Sequence, residues 1–130
     1  MKRILIVDDS PLIRSSLRFV LEEQLGIAVA EAENGSDGID KAQKLHPDLI
    51  VIDLVMPVMN GIDASRALKR LMPAVPIVMY TTFADPHIEN AALVAGVHDF
   101  IDKSESATTL IGRIKHLLVA ESPPPSTNAA

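Results

Sequence analysis

Apolar residues fall along this chain in two rhythms that alternate five times. Short aliphatic runs occupy 4–7 (ILIV), 27–32 (IAVAEA), 49–53 (LIVID), 76–81 (PIVMYT) and 99–102 (DFID). Their length and their Ile/Val content are those of β-strands. Between them the apolar positions recur at helical spacing. Ile13, Leu17, Val20 and Leu21 fall at i, i+4, i+7 and i+8, one face of a helix. Ser10 caps its start with Pro11 behind it, and Gly26 supplies a stop. A second helix is predicted over 36–45, with Ile39, Ala42 and Leu45 on one side and Pro47 beyond. A third follows Asn60-Gly61 and stops before Pro73, offering Ile62, Ala64, Ala67, Leu68 and Leu71 for packing. The fourth begins near Asp85-Pro86 and ends at Gly96. The last runs from about Ser106 to Ala120, with Leu110, Ile111, Ile114, Leu117 and Leu118 turned inward.

Five successive βα units imply an α/β fold: a (βα)5 doubly wound, five-stranded parallel sheet with helices on both faces. Strands buried on both faces read as near-continuous aliphatic runs, as the first, third and fourth do here. The common order for five such strands is 2-1-3-4-5, the flavodoxin-like arrangement, and right-handed crossovers leave few competitors. One domain is expected over 1–121. Residues 122–130 (SPPPSTNAA) hold three consecutive prolines and no periodicity, and are read as a disordered or polyproline-extended tail.

Composition narrows the function classes. At 130 residues the chain has room for one domain. Its net charge of −5 offers no clustered cationic footprint for nucleic acid. The absence of Cys removes disulfides and thiolate metal sites. MKRILIV starts like a secretory leader, but Asp8 and Asp9 break the apolar run, and no stretch is long enough to span a bilayer. A cytoplasmic protein with neither a membrane nor a direct nucleic-acid partner is expected.

One charge needs an explanation. Asp53 closes an otherwise aliphatic strand, where an ionised carboxylate is costly without partners. In a doubly wound sheet all strands end at one rim, and ligands bind there. The first strand brings Asp8 and Asp9 to that rim, the third Asp53, the fourth Thr81 and Thr82, and the fifth Lys103. Neighbouring strands lie roughly 4.8 Å apart, so the three carboxylates converge. A pair at about 4 Å repels by roughly 4 kcal/mol at an effective dielectric near 20, so a cation is expected among them. Hard oxygen donors without Cys or His favour Mg²⁺, with Mn²⁺ as a substitute. Such an ion commonly serves phosphoryl groups. Lys103 is long enough to neutralise a phosphoryl oxygen or to pair with Asp53, and Thr81 offers a hydroxyl. Together these groups suit phosphoryl transfer. Asp53, at the centre, is the candidate nucleophile that forms an aspartyl phosphate.

In this order and spacing, ILIVDDS, DLIVIDLVMPVMNG, PIVMYTT and GVHDFIDKS resemble the receiver domain of two-component response regulators, in its single-domain chemotaxis-like form, over about residues 2–120. The resemblance implies Asp53 as the phosphoacceptor, assisted by Lys103 and Thr81. It also implies a metal held by Asp8, Asp9, Asp53 and the backbone carbonyl of Val55, and a switch pair of Thr81 and Phe100. The implied donor is a histidine kinase or a histidine phosphotransfer protein. Output would pass to an unidentified partner through the surface of the fourth helix, fifth strand and fifth helix, with homodimerisation there as one route. Three departures from the family's habit stand out: apolar Val55 and Phe83 flanking the site, Thr82, and Ser104. Thr82 follows Thr81 where Ala is common, so the choice of threonine rests on register. Ser104 follows Lys103 where Pro is common, which argues against a cis bond, since a non-Pro cis peptide costs about 3 kcal/mol.

The expected function is a phosphorylation-activated receiver, not a turnover enzyme, catalysing only its own phosphotransfer and autodephosphorylation. Two alternatives stay open. One is the receiver half of a longer DNA-binding transcriptional regulator, truncated in its linker. The other is an FMN-binding flavodoxin-like protein, against which DDSP counts, because paired carboxylates repel phosphate.

Overall fold

Polar side chains set where the helices start. In a computed structural model, which describes residues 2–120, Ser10 accepts the N–H of Ile13 ahead of α1 (Pro11–Leu25). Asn34 accepts that of Asp37 ahead of α2 (Gly35–Leu45), and Asn60 that of Asp63 ahead of α3 (Gly61–Leu71). Asp85 takes those of His87 and Ile88 ahead of α4 (Pro86–Ala95). Each cap satisfies first-turn donors that have no partner inside the helix. α1 closes on Gly26 at φ 60°, and α5 (Ala107–Ala120) completes the set. The second helix starts one residue earlier than its spacing predicts, because Asn34 carries the cap. The tail expected over 122–130 lies outside the described residues.

The strands are β1 (Arg3–Val7), β2 (Ala28–Ala32), β3 (Leu49–Ile52), β4 (Ile77–Thr81) and β5 (Asp99–Asp102). They form one parallel sheet in the order β2-β1-β3-β4-β5, the doubly wound arrangement expected from the sequence. Alternation along the strands divides the core in two. Leu5, Val7, Ile50, Ile52, Ile77 and Met79 face Ala42 of α2, Ala64 and Leu68 of α3, and Ala92 of α4. Ile4, Ile6, Val51, Val78, Tyr80 and Ile101 face Leu17 and Leu21 of α1 and Leu110, Ile111 and Ile114 of α5. The result is three layers, helix on sheet on helix. One packing expectation fails: Leu71, at the last turn of α3, is 49% exposed, while Leu68 is buried as expected. No helix among the described residues is long and apolar enough to cross a membrane.

Candidate functional site

The sheet's hydrogen bonding continues one residue beyond three strands, and each extra residue is chemically loaded. Asp8 donates its backbone N–H to Ala32 at 3.0 Å, Asp53 to Val7 at 2.9 Å, and Lys103 to Thr81 at 2.8 Å. The three are therefore fixed by the rigid rim and not carried on free loops. Carboxylate oxygens of Asp8, Asp9 and Asp53 lie within 4.8 Å of one another. Asp8 is 3% exposed and Asp53 8%, while Asp9 is open to solvent.

Lys103 is the counter-charge. Its Nζ donates to Asp8 Oδ2 at 2.9 Å and lies 3.4 Å from Asp53 Oδ2. The sequence suggested a direct pair with Asp53; the closer partner is Asp8. Asp53 turns its other oxygen, Oδ1, to the N–H of Leu54 at 2.8 Å. Burial is the main force holding the Asp53 pKa above its ordinary value, and the Asp8 charge adds to it. Lys103, the Leu54 N–H and the Thr81 hydroxyl pull the other way without cancelling. Burial would lower the Lys103 pKa, but the hydrogen bond to Asp8 and the charges of Asp53 and Asp8 outweigh it and raise it. Three carboxylates thus cluster where one ammonium pairs with two of them, Asp8 and Asp53. An all-oxygen donor set with excess negative charge fits a hard divalent cation.

The two threonines differ in burial. Thr81 is fully buried at the last position of β4, and Thr82 is exposed. Thr81 Oγ1 accepts the N–H of Phe83 at 3.2 Å, at the start of the loop to α4. Phe100, opposite Met79 on β5, is half-buried against the core that α2, α3 and α4 cover. Val55 is exposed in the loop leaving β3. No peptide bond among the described residues is cis, in keeping with Ser104 after Lys103.

The loop behind Asp53 is closed by a near contact. Gly61 donates its N–H to the Leu54 carbonyl at 2.7 Å, and a Cβ on it would stand 2.1 Å from the Asp53 carbonyl oxygen. Only glycine fits, so α3 begins directly behind the carboxylate. Within the loop Val58 sits at φ 73°, with the Met59 N–H bonded to the Pro57 carbonyl at 2.8 Å. That is a γ-turn centred on a β-branched residue, a strained conformation.

Two residues at the site escape sequence reasoning. Arg14, one turn into α1, donates to the Asp8 carbonyl oxygen and, at 3.0 Å, to Glu31. Arg18 also pairs with Glu31, so α1 clamps the end of β1 against β2. Tyr80 lies under Lys103, with Nζ 5.8 Å from the ring centroid. The signals were Arg14's position one turn into the helix that follows the acidic pair, and a lone tyrosine next to Thr81 in a chain with 3% aromatics.

The family described as response regulator receiver domain matches residues 4–115. The chain is 34% identical over 119 residues to the chemotaxis protein CheY of Halobacterium salinarum, covering 92% of this chain and 98% of that protein. It is also 34% identical over 113 residues to the transcriptional regulatory protein LnrK of Bacillus subtilis. That match covers 85% of this chain but 51% of LnrK, so the chain spans about half of that relative. Among solved structures, a CheY-like response regulator receiver domain protein from Methanospirillum hungatei superposes with a TM-score of 0.88 at 30% identity, over 93% of this chain and 96% of that one.

Proposed function

This chain belongs to the response regulator receiver domain family, and from that premise we propose that it is a phosphorylation-controlled switch whose acceptor is Asp53. The observation that carries the reading is one lysine ammonium set 2.9 Å from Asp8 and 3.4 Å from Asp53 at a buried rim. The donor is a phosphohistidine on a histidine kinase or histidine phosphotransfer protein, and the exchange takes place in the cytoplasm. An Asp53 carboxylate oxygen bonds to phosphorus as the P–N bond to the donor imidazole breaks. The electron pair of that bond returns to the ring nitrogen. Lys103 neutralises one phosphoryl oxygen and the Thr81 hydroxyl donates to another. Asp8, Asp9, Asp53 and the backbone carbonyl of Val55 would hold Mg²⁺, or Mn²⁺ in its place. When bound, the ion supplies Lewis-acid stabilisation of phosphoryl charge. The chain acts on itself alone, in phosphotransfer and in slow autodephosphorylation.

The response follows from the same residues. Thr81 gives up its bond to Phe83 as it turns to the phosphoryl group, and the β4–α4 loop shifts. Phe100, half-buried before, turns further inward, and the α4-β5-α5 surface changes. This is a population shift between two states of the domain. α4 carries exposed Leu93 and Val94, apolar area open to an output partner or to a second copy of the chain. A second reading has its own support: because LnrK is about twice as long as the matched region, the domain also fits the receiver half of a longer transcriptional regulator whose DNA contacts lie elsewhere.

Incubation with acetyl phosphate and Mg²⁺ is expected to add one phosphoryl group to the wild type and none to Asp53→Asn, read by intact mass. Uptake by Asp53→Asn would remove Asp53 as the acceptor.

A further inference from the structure

A third group stands against Lys103 besides its two carboxylates. Tyr80 immediately precedes Thr81 on β4 and pairs in register with Ile101 of β5. Its side chain belongs to the core that α1 and α5 cover, among Ile101, Leu110, Ile111 and Ile114, and the residue is 8% exposed. Lys103 Nζ stands over its ring, 5.8 Å from the centroid, inside the range of about 6 Å at which a ring face attracts an ammonium. The Lys103 side chain is only 12% exposed, so water competes weakly for that charge.

The contact matters because a lysine is a flexible stem that the site needs at one point. Asp8 and Asp53 each attract the ammonium only while that carboxylate is ionised and free to pair. Once Asp53 carries a phosphoryl group its own pairing with Lys103 is replaced, and the charge of Asp8 is shared with whatever neutralises the rim. The ring's attraction depends on neither acid. It also acts from another direction, beneath the ammonium. The phenol pKa is consistent with this closeness: burial raises it, and the neighbouring Lys103 charge works to lower it.

We propose that Tyr80 is a positioning residue for phosphoryl transfer, its ring acting as the platform that keeps the Lys103 ammonium at the rim where it meets the incoming phosphoryl group. The proposal rests on Asp53 being the acceptor. The chain holds one Tyr and no Trp, so this residue's signals can be observed without overlap from another tyrosine or a tryptophan.

Tyr80→Phe keeps the ring, and Tyr80→Leu replaces it with an aliphatic side chain. Phosphorylation by acetyl phosphate is expected to run roughly 3- to 10-fold slower in Tyr80→Leu than in Tyr80→Phe. In a Lys103→Gln background the Phe and Leu variants should be equal, because no ammonium remains to be held. Equal rates in the wild-type background, or the same loss in both backgrounds, would overturn the proposal. A second measurement does not depend on how well Tyr80→Leu folds. In unphosphorylated protein, the Tyr80 ring resonances should move when Lys103 becomes Gln; unmoved resonances would also overturn it. Phosphoryl uptake by Asp53→Asn would instead strike the acceptor reading, while the resonance comparison, made without phosphate, would still report on the contact.

Discussion

The two rims of the sheet use charged side chains for opposite ends. Where the strands begin, these side chains complete the backbone. The Arg3 N–H meets Asp48 at 2.8 Å, and the Arg3 guanidinium donates to the Leu45 carbonyl at 3.0 Å. Lys69 donates to the Pro73 carbonyl at 2.9 Å, and Ile77 gives its N–H to His98 Nδ1 at 3.2 Å. Where the strands end, three carboxylates gather, one ammonium pairs with two of them, and Asp53 is left with a raised pKa. One rim finishes the fold; the other holds a charge imbalance that the fold tolerates. Perturbed, partly compensated groups at one edge of a rigid sheet mark a site where a ligand completes the balance.

The largest expected break in this contrast is at Lys103. Lys103→Gln leaves Asp8 and Asp53 facing each other without a counter-charge. Acetyl phosphate labelling should fall about 100-fold. Urea unfolding in the presence of a chelator should show a loss of about 2–4 kcal/mol, because breaking a buried pair strands the remaining charge. Added Mg²⁺ should recover part of the stability and little of the rate. If the variant were as stable as wild type in chelator, the ending rim would hold no imbalance and the contrast would be lost.

Removing the Asp53 charge should have the opposite sign. The folded-state pKa of Asp53 is raised above its ordinary 3.8, so the folded form holds that proton more tightly than the unfolded chain. Its ionisation at neutral pH therefore works against folding, and the penalty disappears as pH falls through the raised value. Asp53→Asn should therefore melt at a higher temperature than wild type at pH 7. The gap from wild type should close on acidification. A lower melting temperature for Asp53→Asn would mean that Asp53 is compensated after all.

These effects concern residues that the primary structure had already gathered. Asp8, Asp9, Asp53, Thr81 and Lys103 each end an aliphatic run, and a parallel sheet has only one rim at which such ends can meet. The strands and helices were legible for related reasons: Ile/Val runs between capping residues such as Ser10 and Asp85 leave little choice of element. What stayed hidden depends on distances of an ångström or two and on single dihedral angles. Nothing in the order of residues says that Lys103 prefers Asp8, or that Val58 occupies a left-handed φ. Leu71 has the spacing of a core residue, yet it lies 49% exposed while Leu68, on the same turn, is buried. Tyr80 alternates away from Thr81, onto the α1/α5 side, and only the path of the chain after β5 brings Lys103 back over that ring.

The smallest expected effect tests the beginning rim. His98 Nδ1 accepts the Ile77 N–H, so that nitrogen carries no proton, while Nε2 faces Lys69 Nζ at 3.4 Å. Burial first, and then the Lys69 charge, lower the His98 pKa below its ordinary 6.5, with Asp99 opposing them. The unfolded chain thus takes up a proton at higher pH than the folded one. The contribution of the neutral ring is complete above pH 6.5 and declines as pH falls through that value toward the lowered one. Because the ring is substantially exposed, screening confines the effect to a fraction of a kcal/mol. His98→Gln retains an acceptor for Ile77 without a titratable group, so its melting temperature should fall less between pH 7.5 and 5.5 than that of wild type. The two rims then answer acid with opposite signs, since protonation relieves Asp53 and burdens His98. Parallel declines in His98→Gln and wild type would show that His98 supplies none of the acid sensitivity, and that the beginning rim is neutral to protons.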